Sequence, residues 1–185
     1  MANLVQANKG VMNIALVSTA QRSGCPPIGL VYLASHIQKH TLHKVKIIDI
    51  NYQDIFKVPY YLYDLVGINA MTVNYNKATR LALIINHIDK KIPIVIGGVH
   101  ISTDLDSQAF NVFDSMVIGE GEKSFLKLLK DFEENNYIEE IYETKPIDNL
   151  DELTPPDWDL LDRGYFEKQF NTTFAEWGIE GWLLT

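Results

Sequence analysis

The chain is poor in features that would assign it to a class at once. Cys25 is the only cysteine among its 185 residues, which excludes a disulfide within the chain. No run of about 18 apolar residues occurs, so no transmembrane helix is expected. The N-terminus lacks the apolar stretch of a secretory signal. We therefore expect a cytoplasmic protein that does not act on a membrane.

Signals for nucleic acid and for phosphate-binding loops are also missing. The formal net charge is −8 and no dense block of lysine or arginine offsets it, so nucleic acid is not an expected partner. Neither the G-x-G-x-x-G pattern of dinucleotide-binding folds nor a Walker phosphate loop occurs. Asp49 ends a predicted strand where a ribose-binding acid would lie, but the glycine loop that should accompany it is absent.

The chain does contain a regular alternation of strand-like and helix-like segments. Apolar residues make up 46% of the sequence, enough for a substantial core. Short apolar runs predict strands at residues 12–17, 45–50, 65–68, 94–96 and 116–118. Apolar residues at three- and four-residue spacing predict helices around residues 30–37, 78–88 and 125–132. The alternation predicts an α/β fold: a doubly wound five-stranded parallel sheet of Rossmann or flavodoxin-like type, with order 2-1-3-4-5 and a switch point between strands one and three.

Domain organisation follows from where this alternation ends. Residues 1–136 form the predicted Rossmann domain, and its second crossover, 52–63, is expected to supply only a short helix because it contains a proline. Residues 137–158 predict one edge strand or a hairpin, followed by a linker that two adjacent prolines keep out of a helix. Residues 159–185 form an aromatic extension that is too short for a core of its own.

Two strands of the predicted sheet stop abruptly at glycine, at Gly97-Gly98 and at Gly119. Ligands of open α/β sheets bind outside the carboxyl ends of the strands. Two further loops, 18–27 and 69–76, carry small and hydroxyl residues to the same edge. Either glycine turn alone would only mark the end of a strand, but the convergence of four loops favours a ligand site.

The histidines divide into two groups. We expect His36, His40, His43 and His87, which lie on or just after predicted helices, to be solvated. His36 and His40 are four residues apart and could chelate a metal, but no third ligand is indicated nearby. His100 follows the Gly97-Gly98 turn, so it either belongs to the ligand edge or is hydrogen-bonded into its own loop.

No residue set indicates catalysis by this chain alone. Cys25 has no indicated base beside it, so we interpret it as structural or loop-lining, and a single thiolate cannot hold an iron–sulfur cluster. Glu120 and Glu122 resemble an acid/base pair, but glutamate at a helix start commonly serves the helix dipole.

Five segments resemble the N-terminal domain of cobalamin-binding radical SAM enzymes. They are PPIGLVYLA at 26–34, DLVGINAMT at 64–72, IGGVHIST at 96–103, VIGEGE at 117–122 and IDNLDELTPPDW at 147–158. They occur in the family's order and span nearly the whole chain.

The resemblance implies a Rossmann-like domain that holds cobalamin between itself and a radical SAM barrel, with the lower nucleotide tail along the carboxyl edge of the sheet. The loop 18–27 would lie near the corrin. Residues that match the family's motifs would contact the tail. They are Asn69, Met71 and Thr72 after strand three, Gly97, Gly98 and His100 after strand four, and Gly119, Glu120 and Gly121 after strand five.

The sequence departs from the wider family at two places. The D-x-H-x-x-G motif, which supplies a histidine to cobalt in methionine synthase and methylmalonyl mutases, is absent after strand one. Residues 178–185 resemble the first barrel strand, but the C-x-x-x-C-x-x-C motif that binds a [4Fe–4S] cluster is missing. We therefore expect a fragment, a split-gene half or a degenerate stand-alone domain. The cluster and S-adenosylmethionine would be bound by a barrel in cis or on a partner chain.

The sequence thus predicts a cobalamin-binding domain of a B12-dependent radical SAM enzyme, of methyltransferase or cyclase type, that is not catalytic by itself. Two other hypotheses stay open. One is a non-enzymatic interaction or regulatory module that kept the fold and lost the cofactor, and the other is a flavodoxin-like flavin or nucleotide binder.

Overall fold

The structure, a computed structural model, describes residues 10–20, 26–103, 111–145, 147, 149, 151 and 153–161. Six parallel strands in this part of the chain form one sheet of order β2-β1-β3-β4-β5-β6. This order contains the predicted 2-1-3-4-5, so the doubly wound α/β fold and its switch point between β1 and β3 are confirmed. The strands are β1 (Asn13–Ser18), β2 (Lys44–Asp49), β3 (Leu65–Asn69), β4 (Ile94–Gly97), β5 (Ser115–Ile118) and β6 (Ile141–Glu143).

The sixth strand settles the alternatives for the segment after residue 136. β6 pairs in parallel with β5 at the edge of the sheet, so the described residues form an edge strand and not a hairpin. Asn136 ends the preceding helix in the left-handed region at φ 52°, a conformation that asparagine tolerates well, and its N–H donates to the Phe132 carbonyl at 3.0 Å.

In the described ranges, four α-helices cover the two faces of the sheet. They are α1 (Ile28–His40), α2 (Tyr75–Ile88), α3 (Val99–Thr103) and α4 (Gly121–Asn135). The second crossover supplies only a short 3₁₀ turn, Tyr60–Leu62, which begins after Pro59, as the proline predicts. Within the described ranges, no helix is long and apolar enough to cross a membrane.

The core consists of two layers because side chains alternate along each strand. In β1, Ile14 and Leu16 pack beneath α1 and α4, whereas Ala15 and Val17 pack against the helices on the other side. We call these two sides the α1/α4 face and the α2/α3 face. The helical apolar positions predicted from the sequence follow the same division. Leu30, Ala34, Ile37, Phe125, Leu128, Leu129 and Phe132 lie on the α1/α4 face, and Ala78, Leu81, Ala82 and Ile85 lie on the α2/α3 face.

Described residues of the predicted linker form hydrogen bonds with side chains of α1. Ser35 Oγ accepts the Asp157 N–H at 2.7 Å, and His36 Nδ1 lies 2.9 Å from Thr154 Oγ1. Trp158, the first residue of the 3₁₀ turn Trp158–Leu160, packs against the apolar cluster of the α1/α4 face. The linker is therefore ordered by the helix that begins with the PPIGL segment.

The prediction that four histidines are solvated was wrong for two of them. His36 is only 6% exposed, and its Nδ1 lies against the Thr154 hydroxyl. His43 is 5% exposed: its Nδ1 accepts the Met12 N–H at 3.3 Å, and its Nε2 lies 3.3 Å from a Glu133 carboxylate oxygen. His40 and His87 are exposed, as expected. Burial lowers the pKa of both buried imidazoles, and for His36 the nearby His40 and Lys39 lower it further.

Candidate functional site

Two positions near the carboxyl edge of the sheet, Gly67 and Gly97, lack side chains on the α1/α4 face. Gly67 of β3 lies beside Leu16 and Val95 in the strand register. Gly97 lies two residues beyond Val95 on β4, so it shares the same face. Both positions face α1 and α4, where other strands place large apolar groups, and both line a gap at this edge.

A pocket of about 260 Å³ occupies this gap, between the sheet edge, α1 and the start of α4. Gly67 lets its floor close: a Cβ at this position would lie 2.9 Å from Leu16 Cδ2 and 3.3 Å from the Phe125 ring. The inner wall consists of aliphatic and phenyl groups from β1, α1, β4, β5 and α4. These residues are Leu16, Leu30, Leu33, Val95, Val117 and Phe125.

The polar groups of the pocket lie at the strand exits and the start of α4. The polar side chains are those of Asn69, Glu120 and Glu122, and the glycine turns add backbone groups. Glu120 is the residue just before α4, and its Oε2 accepts the Ile147 N–H at 2.6 Å, so this carboxylate joins the pocket to the linker. No lysine, arginine or histidine is found among the described residues that line the pocket.

Gly98 makes the turn at the end of β4 possible. Its φ is 109°, a backbone conformation that residues with a side chain rarely adopt. A Cβ there would also collide with Asn69 Oδ1 and lie 2.6 Å from the Ala70 carbonyl oxygen. The Asn69 side chain therefore packs directly on the Gly98 turn, and the exits of β3 and β4 are held together.

The residues predicted from the resemblance fall into two sets in the structure. Six of the nine line the pocket: Asn69, Gly97, Gly98, Gly119, Glu120 and Gly121. The other three, Met71, Thr72 and His100, are not part of its lining. All nine lie at the carboxyl edge, but the segments that follow β3 and β4 extend past the pocket.

His100 and Thr72 form a separate small cluster. His100 is 7% exposed, and its Nδ1 lies 3.2 Å from Thr72 Oγ1. The ring centroid of Tyr75 lies 4.2 Å from that of the imidazole, and the His100 N–H donates to the Ala70 carbonyl. The described contacts show that His100 is hydrogen-bonded into its own loop. The contact with His100 places the Thr72 hydroxyl at the carboxyl edge of the sheet.

Sequence reasoning missed the walls of the pocket. Leu33 and Gly29 on α1, Gly67 inside β3 and Phe125 on α4 all line it. The signal that was available is Gly67, because a glycine inside an apolar strand often marks a close approach of another group.

Three other sequence hypotheses can be placed on the structure. Residues 21–25 of the first loop, including Cys25, lie outside the described residues. Asp49 Oδ1 accepts hydrogen bonds from the backbone and side chain of Asn51 at 2.9 and 3.0 Å, a local turn contact. In the part of the chain that the structure describes, no group of three or more histidine, cysteine or carboxylate side chains is placed to hold a metal ion.

Similar proteins share both the fold and the sequence pattern. An uncharacterized methyltransferase of Pyrococcus horikoshii is 32% identical over an alignment 158 positions long, and the match covers 74% of this chain and 34% of the relative. The apo structure of OxsB, a cobalamin-dependent S-adenosylmethionine radical enzyme, matches 82% of this chain and 25% of its own at 21% identity, with a TM-score of 0.62.

A second solved structure carries the cofactor. The radical S-adenosylmethionine methyltransferase TsrM of Kitasatospora setae, with cobalamin and a [4Fe–4S] cluster bound, matches 68% of this chain and 25% of its own. The identity is 18% and the TM-score is 0.54, a likeness in fold. This chain thus spans about a third of the methyltransferase and a quarter of each solved structure.

The family model described as "B12 binding domain" matches residues 15–129, which run from β1 into α4 and include the strand exits that form the pocket. The match confirms that this is a B12-binding type of domain, as the resemblance implies. The solved structures share the Rossmann-like fold that was expected with it. The chain belongs to the B12-binding domain family.

Proposed function

We propose that this chain holds cobalamin at the carboxyl edge of its sheet, with the lower nucleotide tail inserted into the pocket above Gly67 and beside Gly97. The observation that carries the proposal is the hollow itself. A pocket of about 260 Å³ lies at this edge, and its lining combines Gly67, Gly97 and the glycine turns with apolar side chains.

The residues present fit such a tail. An apolar inner wall suits the flat face of an aromatic base, because burying apolar surface is favourable at about 25 cal/mol per Å². The glycine turns let the backbone approach a bulky group, and the first turn of α4 directs N–H groups to the same edge. The wall formed by α1 and α4 would exclude water from the buried base.

Each predicted contact residue has a role in this proposal. Asn69, Gly97, Gly98, Gly119, Glu120 and Gly121 would contact the inserted tail. Thr72, with its hydroxyl beside His100, and Met71 would lie next to the part of the corrinoid outside the pocket. His100 would act as a positioning residue for Thr72, since its Nδ1 lies 3.2 Å from that hydroxyl.

Cobalamin bound in this way supplies a cobalt-centred carrier for methyl or redox chemistry, and the residues described here only bind and orient it. We propose that a radical SAM barrel, in cis or on a partner chain, provides the [4Fe–4S] cluster and S-adenosylmethionine. The methyltransferase relative and the two radical enzymes, all longer than this chain, support this assignment. The chain would then position the corrinoid for a methyltransferase- or cyclase-type reaction and would not be catalytic alone.

The test is corrinoid binding by the full 185-residue chain. We expect the protein, incubated with hydroxocobalamin and desalted, to retain corrin absorbance at a defined stoichiometry. Gly97→Val should weaken binding at least about tenfold, because the new side chain projects into the pocket while its Cβ has ordinary contacts of 3.5 Å to the Val117 carbonyl oxygen and 3.6 Å to Val117 Cβ.

Gly10→Val is the matched control, since a Cβ at this position has no heavy atom within 4 Å and Gly10 does not line the pocket. A wild-type chain that binds no corrinoid at high micromolar ligand would overturn the proposal. Bound flavin in the purified protein would favour the flavodoxin-like hypothesis in its place.

A further inference from the structure

We propose that a groove beside the edge strand β2 binds a small organic anion, a carboxylate that carries an apolar body. The groove lies between β2 and residues 53–63 of the second crossover and has a volume of about 390 Å³. We call it the crossover groove. No described residue lines both this groove and the pocket at the carboxyl edge, so the proposal does not depend on the proposed function.

The crossover groove lies on the side of β2 where a regular crossover would place a helix. Connections between parallel strands usually contain an α-helix that packs on the sheet. Between β2 and β3 the described residues form one 3₁₀ turn, Tyr60–Leu62, and no α-helix. Ile55 and Tyr60 bury their side chains in the apolar cluster of the α2/α3 face, whereas Val58 is only partly buried there. The crossover therefore packs on the sheet without closing the space beside β2.

Part of the groove is apolar. Ile48 of β2 is 1% exposed and lines the groove, and Val58 and Pro59 line it from the crossover. Lys46 lies two residues before Ile48 on the same strand, so its side chain leaves the same face of the sheet. The groove thus combines an apolar surface with a cationic side chain.

Three polar side chains of the groove can donate hydrogen bonds to an anion. Lys46 is exposed, and no carboxylate of the described residues forms an ion pair with it. Tyr63 is half-buried, and burial raises the pKa of its phenol, so the hydroxyl keeps its proton at neutral pH and can donate it. Gln53 adds a side-chain amide.

The carboxylate in the lining is already engaged. Asp54 Oδ2 lies 3.4 Å from Lys57 Nζ, and Asp54 Oδ1 accepts the Phe56 N–H at 3.0 Å. Lys57 also lines the groove, so two lysines and one aspartate give the described lining a formal charge of +1. The whole chain carries −8 and repels anions in general, which makes this a locally positive site on an acidic protein.

The lining determines the class of ligand. A lysine ammonium forms charge-assisted hydrogen bonds with a carboxylate, but an exposed ion pair alone contributes little to binding. An apolar body packed on Ile48, Val58 and Pro59 gains affinity from the surface that it removes from water. The groove therefore favours a ligand that has both parts over a ligand that has either part alone.

The experiment compares three probes on the full chain at low ionic strength. They are 2-naphthoate, its neutral analogue 2-naphthamide, and acetate, which has the charge without the apolar body. Calorimetry measures the affinities, and backbone amide chemical shifts locate the site. We expect naphthoate to bind at least about tenfold more tightly than either other probe and to shift the amides of residues 46–63.

Two lysine variants test the role of the charge. Lys46→Gln should lower the affinity for naphthoate about tenfold and leave that for naphthamide unchanged, because only the anion uses the ammonium. Lys90→Gln is the matched control, since Lys90 is exposed, lies outside the groove and changes the net charge by the same amount. Tyr63→Phe keeps the ring, removes the hydroxyl and should weaken naphthoate binding by a smaller factor than Lys46→Gln.

Three results would overturn the proposal. They are equal affinity for naphthoate and naphthamide, no saturable binding at millimolar naphthoate, and naphthoate binding that persists in Lys46→Gln but is lost in Gly97→Val. The last result would place the probe in the pocket at the carboxyl edge. Lys46 is exposed on an edge strand, so its substitution should not disturb folding. Corrinoid binding is measured separately, so none of these results bears on the proposed function.

Discussion

The two faces of the sheet are built from the same strands but are packed differently. On the α2/α3 face, strand positions such as Val66, Ile68 and Ile96 carry full side chains that are at most 2% exposed. On the α1/α4 face, Gly67 and Gly97 carry no side chains, and the pocket lies there. The comparison shows that two features locate the pocket. The ends of the strands determine at which edge of the sheet it lies, and the glycines without side chains determine on which face it lies.

The largest expected loss of stability is on the α2/α3 face. Leu81→Ala removes a fully buried side chain between α2 and the sheet and should lower the free energy of unfolding by about 2–5 kcal/mol. Leu83→Ala, on the exposed side of the same helix, is the control and should have little effect. Chemical denaturation measures both. Corrinoid affinity, measured below the unfolding transition, should not change, and a large loss of affinity would mean that the two faces are not independent.

The next effect is at the turn between the strand exits. Gly98→Ala combines a φ of 109° with contacts to Asn69 Oδ1 and the Ala70 carbonyl, so backbone strain alone should cost about 1–3 kcal/mol and crowding should add to it. Gly119→Ala is the comparison: its φ is 74°, but a Cβ there meets nothing within 4 Å, so only the left-handed strain of about 1–2 kcal/mol is expected. Thermal unfolding of the two variants should show the first to be less stable. Equal stability would contradict the tight packing of Asn69 on this turn.

Two alanine variants compare how tightly the chain is packed at the floor of the pocket, Gly67, and at its opening, Gly97. Gly67→Ala should destabilise the fold by about 1–3 kcal/mol, because its Cβ would lie 2.9 Å from Leu16 Cδ2 and force the floor to shift. Gly97→Ala should change stability by less than about 1 kcal/mol, since its nearest contact is an ordinary 3.5 Å. Denaturant titration distinguishes them. The opposite ranking would show that the hollow does not depend on these two positions in the way described.

The smallest expected effect concerns pH. Burial, together with His40 and Lys39, lowers the pKa of His36 in the folded chain, so the unfolded chain binds a proton first as the pH falls. Stability should therefore be fully present above the ordinary histidine value of about 6.5 and should decline below it, by at most about 1.4 kcal/mol per pH unit for this group. His36→Gln should reduce the slope of stability between pH 7 and pH 5, and His87→Gln, at an exposed site, should not. His43, whose pKa is also lowered by burial, should keep part of the slope.

The predictable part of the fold follows from local chemistry. The continuous apolar run at residues 94–96 predicts a strand that is buried on both faces, and the spacing of Leu81 and Ile85 predicts one buried face of a helix. The carboxyl edge was predictable for the same reason, since the glycine turns mark where strands end. The resemblance then named nine residues at that edge, of which six line the pocket.

The rest depends on contacts between distant parts of the chain. His36 is buried by Thr154, 118 residues away, and His43 by Met12 and Glu133, and no local pattern at the histidines indicates these partners. The walls of the pocket come from β1, α1, β4, β5 and α4 at once. A glycine inside a strand does not tell which groups exclude a side chain there, and at Gly67 these groups are Leu16 and Phe125.

The ordinary contacts around Gly97 have an evolutionary consequence. A single substitution at this codon would fill the pocket without disturbing the turn at Gly98, so the proposed cofactor site would be lost while folding is retained. A domain of this family that has become a pure interaction module would then differ from a cofactor carrier at this position first. Among homologues, we expect a bulky residue at position 97 to identify the members that no longer bind a corrinoid.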